Sequence, residues 1–130
     1  VFTFAPALLD ERLDYCLVCM RMGNVNEARA SLDILRQHHK NEMSIDVMAV
    51  KCDLADGNVQ SAREKLDQLA GRTKDNRAGA DVYMLLAQLT HDEGSAALSR
   101  EHVARAEGII DDLPPYKRPR ADEVPALFRS

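Results

Sequence analysis

The stretch Gly23-Asn24-Val25-Asn26-Glu27-Ala28-Arg29-Ala30-Ser31-Leu32-Asp33-Ile34-Leu35 returns as Gly57-Asn58-Val59-Gln60-Ser61-Ala62-Arg63-Glu64-Lys65-Leu66-Asp67-Gln68-Leu69. Eight of the 13 aligned positions are identical, and the copies start 34 residues apart. Self-similarity at a fixed period of this size is the mark of a stacked repeat. Such stacks build extended surfaces that hold other chains rather than catalytic pockets.

Working outward, the chain reads as six helices. Leu9, Leu13, Cys16, Leu17 and Met20 recur at three- and four-residue spacing, which predicts a helix over 7–22. Gly23 stops it, because glycine tolerates the left-handed backbone of a helix end. Asn24 caps the second helix, with Glu27 three residues on as in a capping box. The plan repeats: a helix over 43–56 stopped by Gly57, then one from Asn58 to about Gly71. A polar loop over 72–77 leads to a helix over 79–92, stopped near Gly94, and a last one over 95–112. Pro114-Pro115 ends it, since neither proline has an N–H to donate. The tail over 114–130 holds four of the five prolines and predicts mostly extended chain, with a short turn at Ala126-Leu127-Phe128. No segment alternates as a strand does, so the fold class is all-α.

At 130 residues the chain is one domain in size, 45% hydrophobic and 29% charged, as in ordinary globular proteins. No apolar run is long enough to span a membrane, and Val1 to Leu9 does not read as an intact secretory signal. Net charge is −4; the tail carries four basic and two acidic residues, which leaves the rest at −6. An acidic body repels phosphates, so no nucleic-acid partner is expected. Three cysteines are an odd count and favour a reducing compartment, the cytoplasm or another intracellular one.

Paired helices, the 34-residue period and the Gly-Asn turn before an Ala-containing helix resemble the tetratricopeptide repeat. The residues that carry the likeness are Tyr15-Cys16 and Cys19 with Ala28, Leu32 and Leu35 in the first unit. Ala49-Val50 with Ala62, Leu66 and Leu69 carry it in the second, and Tyr83, Leu86-Ala87 and Thr90 in the third. The chain departs from the family pattern at Arg12 and Asp46, where a large apolar residue is usual, and at Lys40 and Lys74, where a proline often stands. Gly57 to Gly94 is 37 residues, three over the period. The resemblance implies a short right-handed α-solenoid of about three helix pairs, with units near 9–42, 43–76 and 79–113, and the basic tail beyond. The polar side of the last helix, Ser99 and Arg100 among others, would then cap the stack. The pentatricopeptide repeat is the nearest rival; it usually reads RNA, which the acidic body disfavours.

The resemblance also implies a concave face lined by the first helix of each unit: Leu13, Leu17, Met20 and Arg21; Ser44, Val47, Met48, Lys51 and Leu54; Asp81, Met84, Leu85 and Gln88. Of these, Leu13, Leu17, Met20, Val47, Met48, Lys51, Met84, Leu85 and Gln88 form the expected partner-binding groove. An apolar lining with flexible methionines suits an amphipathic helix or an extended peptide. The basic clamp with which some family members grip a C-terminal carboxylate is missing. Packing of these side chains within each helix pair is the other reading.

Cys16-Leu17-Val18-Cys19 places two thiols on one helix face. A structural zinc needs four ligands, and only Cys52 and His38-His39 remain to complete a set, so core thiols come before redox or metal roles. His38-His39, His91-Asp92-Glu93 and Asp111-Asp112 read as solvated helix ends. No catalytic residue, metal site or cofactor is expected. The tail Pro115-Tyr116-Lys117-Arg118-Pro119-Arg120 leaves docking on the acidic body of a neighbouring copy or partner, disorder and nucleic-acid binding open. The expectation is therefore a non-enzymatic interaction module, a scaffold or adaptor subunit of a multiprotein complex. A small chaperone for an aggregation-prone client, such as a secretion-system subunit, is the alternative.

Overall fold

A computed structural model of the chain describes residues 9–73 and 76–129, apart from the side chains of residues 122 and 129. Among them lie six α-helices and no strand: α1 Leu9–Arg21, α2 Val25–His38, α3 Met43–Ala55, α4 Val59–Ala70, α5 Arg77–Asp92 and α6 Ala96–Asp112. No helix is long and apolar enough to cross a membrane. Two compact units divide the chain within α4, one over residues 1–65 and the other over 66–130.

Within each pair the turn is set by one device used three times. Gly23, Gly57 and Gly94 have φ of +79°, +80° and +87°. Each glycine N–H donates to the carbonyl three residues back: Met20, Leu54 and His91, at 3.0, 3.1 and 3.0 Å. The next residue, Asn24, Asn58 or Ser95, donates to Cys19, Asp53 or Thr90, each at 2.8 Å. These are Schellman ends, which satisfy carbonyls the helix leaves open. The expected capping box forms only by half. Asn24 Oδ1 accepts from the Glu27 N–H at 3.4 Å, but the Asn24 N–H is already engaged by Cys19. The Glu27 carboxylate instead accepts the Tyr15 hydroxyl at 3.1 Å.

The three extra residues before Gly94 are also accounted for. α5 has 16 residues against 13 in α3. The connection before α5 runs over 71–76, two residues longer than the one before α3, and α4 is two shorter than α2.

A methyl group at Gly57 would meet nothing within 4 Å, so its φ is the only obstacle to substitution. Gly57→Ala is expected to lower stability by about 1 kcal/mol through left-handed strain. Gly108, inside α6, is equally open and has an ordinary helical φ. Gly108→Ala should therefore raise stability by roughly 0.5–1 kcal/mol. Urea melts of the two variants check the opposite signs.

The first unit closes around Cys16, Cys19, Ala28, Leu32, Leu35, Ile45, Met48, Ala49 and Cys52, contributed by α1, α2 and α3. Burial follows distance from the turn glycine. The fifth residue after it is Ala28, Ala62 or Ser99, at most 3% exposed. The fourth before it is Cys19, Asp53 or Thr90, all buried. Ser99 thus lies in the interior, not on the polar side expected of it, and its hydroxyl donates to the Ala87 carbonyl at 2.8 Å. Thr90 is satisfied in the same way by the Leu86 carbonyl at 2.8 Å.

In the second unit α5 packs along α6. The tail departs from the expected extended chain. It forms three short 3-10 turns, Pro115–Lys117, Ala121–Glu123 and Ala126–Arg129, the last over the expected turn. Arg118 reaches back to the end of α6 and donates to the Leu113 and Asp111 carbonyls at 2.9 and 3.0 Å. A guanidinium there offsets the unfavourable charge of Asp111 and Asp112 at the negative end of the helix dipole.

Candidate partner-binding surface

The expected groove residues fall into two sets, one in each unit. In the first, Leu13, Leu17 and Met20 form one stripe of α1. They are half-buried and rest on the cluster that contains Cys16, Met48 and Cys52. Met20 Sδ lies 3.6 Å from Cys52 Sγ. Lys51 is half-buried and has no acidic partner among the described residues. Val47 and Met48, however, are only 2% and 7% exposed and present almost nothing to a partner. Seven of the 13 residues of α3 are buried, Val47 and Met48 among them, so these two side chains face the interior.

In the second unit Met84 is also buried, at 4% exposure, within an α5 that buries nine of its 16 residues. Leu85 and Gln88 are half-buried, and the Gln88 amide donates to Asp92 at 2.9 Å. What stays accessible is therefore Leu13, Leu17, Met20 and Lys51 in one unit, and Leu85 and Gln88 in the other. Val18, on another side of α1, and Met22, just past its end, are more exposed still.

All three thiols are free and buried. Burial is the main cause that pushes both Cys16 and Cys52 above the ordinary thiol value. Cys16 Sγ contacts the Ala28 carbonyl at 3.5 Å. A raised thiol favours the neutral form and works against thiolate chemistry. Folding that favours the neutral thiols contributes stability in full below their ordinary value of 9.0, and that contribution is lost as pH rises through the folded values. A thiol reagent at pH 8 should therefore label the native chain far more slowly than the unfolded one, and stability should decline above pH 9. Fast labelling of native Cys16 and Cys19 would contradict the core assignment. Among the described residues no group of three His, Cys, Asp or Glu side chains could hold a metal ion.

Tyr15 is pushed up to about 12 by hydrogen bonds to Cys19 and Glu27. His38 and the His91-Asp92-Glu93 run are exposed, whereas His39 is half-buried. Tyr83, the expected bulky first-helix residue, is 6% exposed. Its hydroxyl meets Thr73 at 3.3 Å and accepts from Arg105 at 3.1 Å, and the guanidinium lies over its ring at 5.0 Å.

Two ionic features were not foreseen. Asp53, 3% exposed, accepts from Lys65 at 2.7 Å, Arg29 at 2.9 Å and Ser61 at 3.2 Å, tying α2, α3 and α4 together. Arg29 also reaches Asp56 at 2.9 Å. A signal existed, since Asp53 stands four residues before the turn glycine, where Cys19 stands in the first unit. An acid at a buried register position needs a cation, and the repeated Ala-Arg step supplies Arg29. The other feature, contact between Arg77 and Glu123, joins residues far apart in sequence and left no such trace.

Compared with protein-family models, curated proteins and solved structures, the chain gave no match.

Proposed function

We propose that the chain is a non-enzymatic protein-interaction module of tetratricopeptide type, which holds a partner's amphipathic helix or extended segment on the α1 stripe Leu13, Leu17 and Met20, with Lys51 beside it. The observation that carries this reading is an apolar stripe left half-exposed on α1, whereas Val47 of α3 and Met84 of α5, which stand ten residues before their turn glycines as Leu13 does, are buried. An apolar face that remains open on a packed scaffold is where a partner gains most by excluding water. Lys51, with no acidic partner among the described residues, favours a partner that carries a carboxylate next to its apolar anchors. The thrice-repeated glycine turn supports the repeat reading, because it builds three helix pairs of one design. The free, buried thiols support a reducing compartment.

The test compares Leu17→Asp with Val18→Asp, which lies off the stripe and is already 49% exposed. Proteins captured by the wild-type chain are identified, and each is re-measured against both variants by calorimetry. A partner on this surface loses at least ten-fold in affinity with Leu17→Asp and little with Val18→Asp. A partner that binds a folded Leu17→Asp chain as tightly as wild type overturns the assignment.

A further inference from the structure

A cleft of about 300 Å³ opens on the second unit, with Thr73 and Tyr83 on one side and Arg105, Gly108 and Asp112 of α6 on the other. Thr73 has a single hydroxyl proton and gives it to the Ala70 carbonyl at 3.2 Å. The Tyr83 hydroxyl, 3.3 Å away, therefore donates to Thr73 and accepts from Arg105 at 3.1 Å. This chain of hydrogen bonds runs in one direction. It orients a guanidinium that is exposed, lies over the Tyr83 ring and has no carboxylate partner among the described residues. Asp112 stands at the C-terminal end of α6, where a negative charge is unfavourable. Arg118 reaches the carbonyls of this helix end, but among the described residues no cation pairs with the Asp112 carboxylate. Gly108 lies inside α6, where glycine is a poor helix former. A methyl group there would meet nothing within 4 Å, so no neighbour requires the side chain to be missing. What the glycine does is leave the floor of the cleft bare.

We propose that this cleft binds a zwitterion whose carboxylate and alkylammonium are separated by a chain of methylenes, as in lysine or at the end of a peptide that finishes in lysine. Arg105 and Asp112 stand on one side of α6, two turns or about 10 Å apart along its axis. They do not pair with each other, and each meets one end of such a ligand. The carboxylate takes two N–H groups of Arg105, the geometry that a planar guanidinium favours. The ammonium meets Asp112, and the methylenes cross the bare backbone of Gly108. Asp112 disfavours a simple anion and Arg105 a simple amine, so the ligand needs both charges. Glycine, whose charges are close together, cannot span the two. The volume lies at the lower limit for a small-molecule site and suits a ligand of lysine's size. The cleft belongs to the second unit, and its test does not depend on the α1 stripe.

The experiment titrates the full, isotope-labelled chain with lysine and with ε-aminocaproate, and follows the Thr73 and Gly108 amides by NMR. Saturable shifts with a Kd on the order of a millimolar are expected. Hexanoate, hexylamine and glycine should each bind at least ten-fold more weakly. Arg105→Gln and Asp112→Asn should each weaken ε-aminocaproate at least ten-fold; the second is an exposed change that removes no contact within the described residues. Gly108→Leu fills the cleft and should abolish binding while the amide spectrum of α5 stays as in wild type. An acetylated tripeptide that ends in lysine tells the two sources apart. Tighter binding than lysine supports the site with a chain end as its ligand, and weaker binding supports it with a free small molecule. Three results overturn the proposal: no saturable shift with any probe, hexanoate or hexylamine bound as tightly as ε-aminocaproate, or wild-type affinity in Asp112→Asn and Gly108→Leu.

Discussion

Asp53→Ala is expected to lower stability by about 2–3 kcal/mol at pH 7. Removing one member of a buried ion pair is costly because the remaining charge has lost its partner. Here the remaining charges are Arg29 and Lys65, whose side chains are 35% and 44% exposed and turn partly to water. Arg29 keeps Asp56. That places the loss at the lower end of the range for buried pairs, while the Ser61 hydroxyl also loses its acceptor. Asp53→Asn keeps the shape and one acceptor oxygen and should cost roughly half as much.

The pH dependence has a defined sign. Burial by itself raises the Asp53 pKa, but hydrogen bonds from Lys65 and Arg29 outweigh it and hold the group below its ordinary value of 3.8. A carboxylate depressed in the folded state contributes stability above its unfolded pKa and loses it as pH falls through the folded one. The gap between wild type and Asp53→Ala should thus be full at neutral pH and shrink below about pH 4. A gap that is unchanged at pH 3, or absent at pH 7, would show that the cluster contributes little.

Leu35→Ala should cost about 3 kcal/mol, from lost transfer energy and the cavity left among Cys16, Leu32, Ile45 and Cys52. Leu35 is 0% exposed and sits in the last turn but one of α2, where α1 and α3 both pack on that helix. Its neighbour Ile34 is 37% exposed, and Ile34→Ala should cost less than about 1 kcal/mol. The contrast between adjacent residues isolates the buried face of α2. On thermal melting, Leu35→Ala should fall by roughly 10 °C and Ile34→Ala by a few degrees. Equal shifts would mean that the helix faces are assigned wrongly.

Most of the helical plan was legible because it is local. The expected start of the first helix, at residue 7, lies outside the described residues; every other helix end falls within about two residues of where spacing, Asn and Gly placed it, since Schellman ends and caps involve residues within five of one another. The register of burial was legible for the same reason at Ala28, Ala62, Leu32 and Leu66, where the duplicated motif marks one helix face twice. The candidate surface was legible only in part. Leu13, Leu17 and Met20 remain accessible, but periodicity on α3 and α5 cannot tell a groove wall from a buried helix face, so Val47 and Met84 read the same as Leu13, their α1 counterpart.

The amino-acid sequence by itself settled that the described residues make six α-helices joined in pairs by left-handed glycines, because a turn's conformation depends on the few residues within it. Only the tertiary structure decided that Ser99 turns inward, that Asp53 gathers two cations, and that the tail folds back onto α5 and α6. Those outcomes depend on which distant groups meet away from water, and the same residues would be equally content in solvent until a neighbouring helix removes it.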